Sequence, residues 1–280
     1  MALPLDKLGT TYAESTEVID PDRAKAYAAA TNDPNPAYAD STYAPPVFGV
    51  VPTWSAMGLA VGDVVPAEAQ MMIVHGEQDM HFHQPLVPGT KLTTSATAHS
   101  VRVGSSGTRF TIEVDSLDAE GNAVLTQYVT MFIRGMSDGE SGGPDKPGHE
   151  IGDLGAAKKV GSLSVHVDDD QTYRYKEASG DNMPIHVDDA VAKQVGLPGI
   201  IAHGLCTMAM CGQAVVQLAC GGDPARLKRL AVRFASKVFP GNDVETRVYA
   251  LPPDVGGNEV YVFEATSAGA TVIKNGRAEV

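Results

Sequence analysis

Long apolar runs, positive charge, cysteine and nucleotide-binding loops are what this 280-residue chain has least of, and each shortage removes a class of function. No stretch was found that reaches the about eighteen apolar residues a membrane span needs. The N-terminal MALPLDKLG also has no apolar run of the kind a secretory signal carries. The sequence therefore reads as cytoplasmic, with no membrane partner. Lysine and arginine number 21 against 34 aspartates and glutamates, a formal charge of −13 that argues against nucleic acid as the main partner. A polyanionic substrate is still compatible, because it needs only a local basic patch. Cys206, Cys211 and Cys220 fit no metal spacing and fall in one apolar segment, so reduced core thiols are expected. No phosphate-binding glycine loop, dinucleotide fingerprint or Gly-x-Ser-x-Gly elbow occurs, which leaves nicotinamide chemistry and serine hydrolysis without support. With 43% hydrophobic and 20% charged residues, the chain is a globular protein of one large or two ordinary domains.

What is present is concentrated in Ala178–Cys220. Asp181 and His186 lie five positions apart around Met183-Pro184, and a residue before proline avoids the helical region. An irregular turn there brings carboxylate and imidazole together, where the pair can exchange protons through one water near neutral pH. Leu205–Cys220 is apolar on nearly every face and reads as a buried helix. Gly204 sits where that helix begins, and its N–H is free to meet a developing oxyanion. Taken singly, Asp181 is an ordinary turn residue, His186 a core histidine and Gly204 a helix-start glycine. Their order and spacing carry the catalytic reading.

Gly180-Asp181-Asn182-Met183-Pro184-Ile185-His186 resembles the hydratase 2 motif of MaoC-like (R)-specific enoyl-CoA hydratases, Gly-Asp-x-Asn-Pro-(Leu/Ile/Val)-His. His203-Gly204-Leu205-Cys206-Thr207 looks like the family's second block, and Arg233-Phe234 with Phe239-Pro240-Gly241 like its third. The resemblance implies Asp181 and His186 as the acid–base pair and Gly204 as oxyanion donor. Met183 departs from the family asparagine that assists the catalytic water, so either Asn182 replaces it or the water is held less well. His203 is expected to bond backbone close to substrate. Lys228, Arg229, Arg233 and Lys237 form the densest basic cluster, which reads either as a solvated face or as contacts, Arg233 and Lys237 first, to coenzyme A phosphates or an acidic carrier protein. His75, His81 and His83 lack the carboxylate or cysteine that would complete a metal set and read as exposed strand histidines. No metal or redox cofactor is expected, with coenzyme A or carrier phosphopantetheine entering only as part of the substrate.

The motif occurs twice. Ala30–Tyr38 aligns with Ala178–His186, setting Asp33 against Asp181 148 positions on. His81-Phe82 through Val87-Pro88-Gly89 aligns with Arg233-Phe234 through Phe239-Pro240-Gly241. Two ordered matches at nearly one offset mark a tandem duplication. Its first copy is degenerate: Tyr38 stands for His186, and Pro52, which has no N–H, for Gly204. Asp20 and Pro21 open a first helix over 20–30. Gly58 and Gly62 should shorten or break the apolar helix Trp54–Val65, leaving room for an acyl chain. Strands are expected at Gln78–Gln84, Lys91–Val103, Thr108–Ala119 and Ala123–Arg134. A second set is expected at Leu227–Val238, Val244–Leu251, Glu259–Ser267 and Ala270–Ala278, with turns at Glu120-Gly121-Asn122 and Lys274-Asn275-Gly276. A helix followed by antiparallel strands is an α+β order, and the resemblance names it a double hot dog. Expected boundaries are an acyl-accommodating repeat over 1–136, a linker over 137–157 and a catalytic repeat over 158–280.

The resemblance implies reversible hydration of trans-2-enoyl-CoA, or dehydration of (3R)-hydroxyacyl thioesters. Alternatives are an acyl-carrier-protein dehydratase, a non-catalytic acyl-thioester-binding subunit and, more distantly, a thioesterase of the same fold. The internal pairing permits a homodimer without requiring one.

Overall fold

A computed structural model describes residues 2–152 and 157–280 of the chain. Of the expected linker, residues 153–156 lie outside the described residues. In chain order the elements begin with β1 (Thr11–Val18), α1 (Pro21–Ala30), α2 (Pro36–Ala39), α3 (Trp54–Val64) and α4 (Ala67–Gln70). Four strands follow, β2 (Ile73–Phe82), β3 (Lys91–Gly104), β4 (Gly107–Leu117) and β5 (Ala123–Arg134). The second half runs β6 (Lys158–His166), α5 (Gln171–Ser179), α6 (Asp189–Gln194), α7 (Gly204–Leu218), β7 (Arg229–Phe234), β8 (Asp243–Leu251), β9 (Val260–Ser267) and β10 (Ala270–Glu279).

The duplication is visible in the pairing. Strands β1-β3-β4-β5-β2 are neighbours in that order, and β6-β8-β9-β10-β7 repeat it one for one. Within each set the strands pair antiparallel. Each set has one apolar helix against it: α3 on β1, β3 and β4, and α7 on β6, β7 and β8. The eight expected strands are present. The first strand of each half, β1 and β6, was not anticipated, nor was α5.

Packing divides the chain into two compact units that do not follow the repeat boundaries. One comprises Met1–Val18, Pro52–Gln84 and Thr90–His149; the other Ile19–Val51, Pro85–Gly89 and Glu150–Val280. In the first unit Ala56, Met57, Ala60 and Val64 of α3 meet Phe110, Ile112, Val129 and Ile133 of the sheet. In the second, α7 buries eleven of its residues, from Leu205 to Val216. At about 1.5–3 kcal/mol for each large apolar side chain fully buried, this helix is a large apolar contribution to its unit.

Several expectations need correction. α3 runs unbroken through Gly58 and Gly62, both of which face open space, and is shorter than α7 at 11 residues against 15. Pro46–Val64 is, by length and composition, long and apolar enough to cross a membrane, although 61% of its window is buried inside the fold, as a core helix would be. Residues 137–149 are fastened rather than free. Arg102 donates to the carbonyls of Gly142, Gly143 and Pro144, while Lys146 and His149 close on Glu77. Burial alone would raise the Glu77 pKa, but the His149 hydrogen bond and Lys146 charge overcome it and hold the carboxyl at about 2. Lys274-Asn275-Gly276 is no hairpin turn. It is an irregularity inside β10, where Gly276 lies so close to Phe263 that a Cβ would come within 2.4 Å of the ring. The turn itself is Ala268-Gly269, with both residues at positive φ.

Candidate active site

α5 ends at Ser179, and Gly180 adopts φ +80, which a glycine accepts without strain. Asp181 follows. Its N–H donates to Ser179 Oγ at 3.1 Å, and its Oδ1 accepts from Met183 N–H at 3.1 Å. Pro184 then opens a single 3-10 turn that carries His186 into the interior, where it is buried. The proline break thus does what its position in the sequence implied.

The His186 ring is oriented by Nδ1, which lies 2.8 Å from the carbonyl oxygen of Ile201. A carbonyl only accepts, so Nδ1 carries the hydrogen and Nε2 keeps its lone pair. Burial lowers the pKa of this imidazole, opposed by the Ile201 bond and the Asp181 charge, so the ring is neutral at pH 7. His203 stacks on it with ring centroids 3.9 Å apart at 29° and donates from Nε2 to the Asp181 carbonyl at 3.2 Å. Burial first, and the adjacent His186 second, push the His203 pKa down to about 3. Tyr175 lies against the far side of the cluster, 4.8 Å from the His203 ring.

His203 is also the residue before α7, and Gly204 is the helix's first. The first N–H groups of a helix have no partner within it, so that of Gly204 is presented outward with the positive end of the dipole. Phe234 closes the space beside it: a Cβ on Gly204 would stand 3.3 Å from the ring. Val238, just ahead of Phe239-Pro240-Gly241, accepts from Ala202 N–H at 2.9 Å, bracing the approach to α7. The three sequence blocks therefore meet at one place.

Asp181, His186 and His203 bring ligand atoms within 4.8 Å of one another, the donor types of a cation site. Stacked rings aim their lone pairs along nearly parallel planes instead of converging on one point. The grouping fits a held neutral base better than a chelate.

The sequence matches the model of a MaoC-like domain over residues 155–267 and that of an MFE-2 hydratase 2 N-terminal domain over residues 37–135. The chain carries a MaoC-like domain in its second half and an MFE-2 hydratase 2 N-terminal domain in its first. It is similar to a probable enoyl-CoA hydratase 2 of Dictyostelium discoideum, 29% identical over 65% of this chain and 62% of that protein. A second relative, 3-hydroxyacyl-thioester dehydratase Y of Mycobacterium tuberculosis, is 29% identical over 82% of this chain and 81% of the relative. Among solved structures, a MaoC-like dehydratase from Phytophthora capsici superposes with a TM-score of 0.86 at 26% identity, over 99% of this chain and 97% of that one. The fold is the double hot dog. This chain spans less than two thirds of the Dictyostelium protein's length.

Other expected residues of this MaoC-like chain are less concentrated. Asn182 is exposed and turns its amide back onto the Gly180 carbonyl at 3.0 Å; Met183 is 53% exposed. Arg233 precedes Phe234 on β7, so strand alternation puts it on the face opposite the ring that covers Gly204. Lys237 is exposed beyond the strand. The basic cluster does not converge, because Lys228 bonds Asn258 and buried Arg229 pairs with Glu279. Of the strand histidines only His83 is exposed; His81 is half-buried against Asp79 and His75 is half-buried. All three cysteines are free and buried, their thiols pushed up to about 12 by burial.

In the degenerate copy, burial raises the Asp33 pKa to about 6, against a hydrogen bond from Asn35 N–H. Burial likewise carries the Tyr38 phenol well above its ordinary range. A cavity of about 610 Å³ opens beside Asp33, Asn35, Gln213 and Val216, not beside His186. Arg23, Tyr27 and Tyr175 complete the surroundings of the Asp181–His186–His203 cluster and were not singled out from sequence. The repeat register, which sets Tyr27 148 positions before Tyr175, is a signal that could have found the two tyrosines, whereas Arg23 has Gln171 at the matching place and carries no such signal.

Proposed function

We propose that the chain catalyses reversible (R)-specific hydration of trans-2-enoyl-CoA, running backward as a 3-hydroxyacyl-thioester dehydratase in fatty-acid metabolism. The supporting observation is the fixed tautomer of His186. The buried His186 ring, its Nε2 lone pair free, groups within 4.8 Å with the Asp181 carboxylate and with His203, the residue that leads into Gly204 at the start of α7. The names borne by relatives point to the same chemistry.

In hydration the thioester carbonyl accepts from Gly204 N–H, which stabilises the negative charge that grows on its oxygen as the enolate forms. Asp181 and His186 hold and deprotonate the water that adds to C3, and the pair returns a proton to C2. Dehydration is the reverse, with the acid and base roles exchanged. The thioester itself makes the C2 proton acidic. The first repeat, which lacks the imidazole, is assigned to the acyl chain, a reading supported by the shorter α3. Coenzyme A is the assigned carrier, and acyl carrier protein would support identical chemistry with a different partner.

Met183 motivates a second reading, a non-catalytic acyl-thioester-binding subunit, because a thioether cannot hold a water as an amide does. One experiment separates the two. Absorbance at the enoyl-thioester band is followed with crotonyl-CoA and a longer trans-2-enoyl-CoA, and the product is resolved on a chiral column. Loss of the band with (R)-3-hydroxyacyl product supports the hydratase; tight binding without turnover, relieved in Met183→Asn, supports the subunit.

A further inference from the structure

The loop that carries Asp181 is held from the other repeat. Helix α1 lies in the same compact unit as α5, and Arg23 on α1 donates from Nε to the Ala178 carbonyl at 2.8 Å and from Nη2 to the Ser179 carbonyl at 3.0 Å. These are C-terminal carbonyls of α5, groups a helix leaves without partners and around which its negative dipole end gathers. A guanidinium satisfies two of them at once with charge-assisted bonds. The next residue is Gly180 at φ +80, where a Cβ would lie 2.9 Å from Arg23 Nη2, and after it comes Asp181.

Two-fold symmetry shows that the clamp descends from the duplication. Gln171, 148 positions after Arg23, donates to the carbonyl of Ala30, 148 positions before Ala178, and Arg174 reinforces it on Ala29. Only the clamp on α5 leads to a copy that retains the imidazole.

We propose that Arg23, in the repeat that has lost its histidine, is a positioning residue for catalysis: by fixing the last carbonyls of α5 it sets the direction in which the chain leaves Gly180 and hence where the Asp181 carboxylate stands relative to His186. The inference rests on the hydratase reading for its kinetic consequence but not for its structural one. It explains why an arginine donor is used at the end of a helix followed by a glycine. Beyond Gly180 the chain is otherwise held by short local bonds, Asp181 N–H to Ser179 Oγ, its own Asx turn and the Asn182 amide on the Gly180 carbonyl, and by His203 Nε2 on the Asp181 carbonyl.

The test compares Arg23→Ala, Arg23→Lys and wild type as full chains. Because a carboxylate displaced by about 1 Å loses on the order of 100-fold in rate, Arg23→Ala should lower kcat about 10- to 100-fold with KM within about twofold. Arg23→Lys, which restores one donor and the charge, should fall between. Added ethylguanidinium should raise the kcat of Arg23→Ala and leave wild type and His186→Ala unmoved. In hydrogen–deuterium exchange, amides over 179–186 of Arg23→Ala should lose protection while α7 and β7–β10 keep theirs. A folded Arg23→Ala with wild-type kcat and unchanged exchange at 179–186 overturns the proposal, as does a loss confined to KM. If wild type shows no hydration, the functional reading falls and the exchange comparison alone decides the role of Arg23.

Discussion

The phenol oxygens of Tyr27 and Tyr175 lie 3.0 Å apart, and the two residues are 148 positions apart in sequence. They are the same residue of the ancestral repeat, meeting itself across the α1–α5 packing. Both are fully buried; Tyr27 packs edge-on against Phe48, and Tyr175 reaches the His203 ring. The duplication therefore has a physical seam, and the seam touches the Asp181–His186–His203 cluster. Tyr175→Phe leaves the Tyr27 hydroxyl buried without its partner and should destabilise the protein by about 1–2 kcal/mol. Tyr27→Phe should act similarly, whereas the double mutant should recover much of the loss, since no orphan remains. Urea unfolding of the four proteins gives the coupling directly; strictly additive losses would contradict the bond.

Gly204 is predicted to act through its N–H. Proline is tolerated at the first position of a helix, so Gly204→Pro removes the donor while permitting the helix. The naturally degenerate copy carries Pro52 at the matching place. Both Gly204→Ala and Gly204→Pro press on Phe234, but only the second lacks the N–H. Their ratio of kcat isolates the donor, and losing it should cost about 100- to 1,000-fold beyond the alanine variant. Equal activity in the two would remove Gly204 from the mechanism.

His186 has a pKa lowered chiefly by burial, so the neutral base persists as the pH falls past the ordinary histidine value of about 6.5. The acid limb of the hydration profile should therefore lie below about pH 6.5, and so should the NMR titration of the His186 ring. The Asp181 charge opposes the shift, so Asp181→Asn should move that NMR titration lower still. An upward move would mean that the two groups do not face each other as described.

Asp33 gives a stability prediction of unusual sign. Its carboxyl is raised from 3.8 to about 6 in the folded state, so the unfolded chain releases its proton first. The folded protein loses stability as pH rises from about 4 to 6, and the deficit is complete above that window. Asp33→Asn should stabilise by on the order of 2–3 kcal/mol at pH 7.5 and by almost nothing at pH 3.5. Thermal melts of both proteins at the two pH values check it. The asparagine keeps an acceptor for Asn35 N–H, so the backbone contact is preserved.

Much of the site was legible because local chemistry forces it. Gly180 caps α5 and proline at position 184 opens a new turn rather than continuing a helix, the apolar segment after Gly204 is buried in the core, and a repeated motif means a repeated fold. Edge strands were harder to read. β6 has one buried residue among nine, so its alternation, Leu163 and Val165 between Ser162, Ser164 and His166, is short and weak, and β1 likewise ends its half of the strand order. α5 buries Gln171, Thr172 and Tyr175, side chains that do not read as an apolar stripe.

By itself the sequence determined the duplication, the loss of His and N–H donor from the first copy, and that Asp181 and His186 stand on one proline-broken turn. Each is a matter of which residue type stands at which spacing, and spacing survives in one dimension. Tertiary structure decided which ring nitrogen of His186 is free, that His203 stacks on it, and that Arg23 and Tyr27 of the first repeat are turned toward the second. The first two depend on the carbonyl of Ile201 and the ring of His203, brought back onto His186 by the loop before α7, and the last on groups more than a hundred residues away, which only the packing of α1 on α5 brings together.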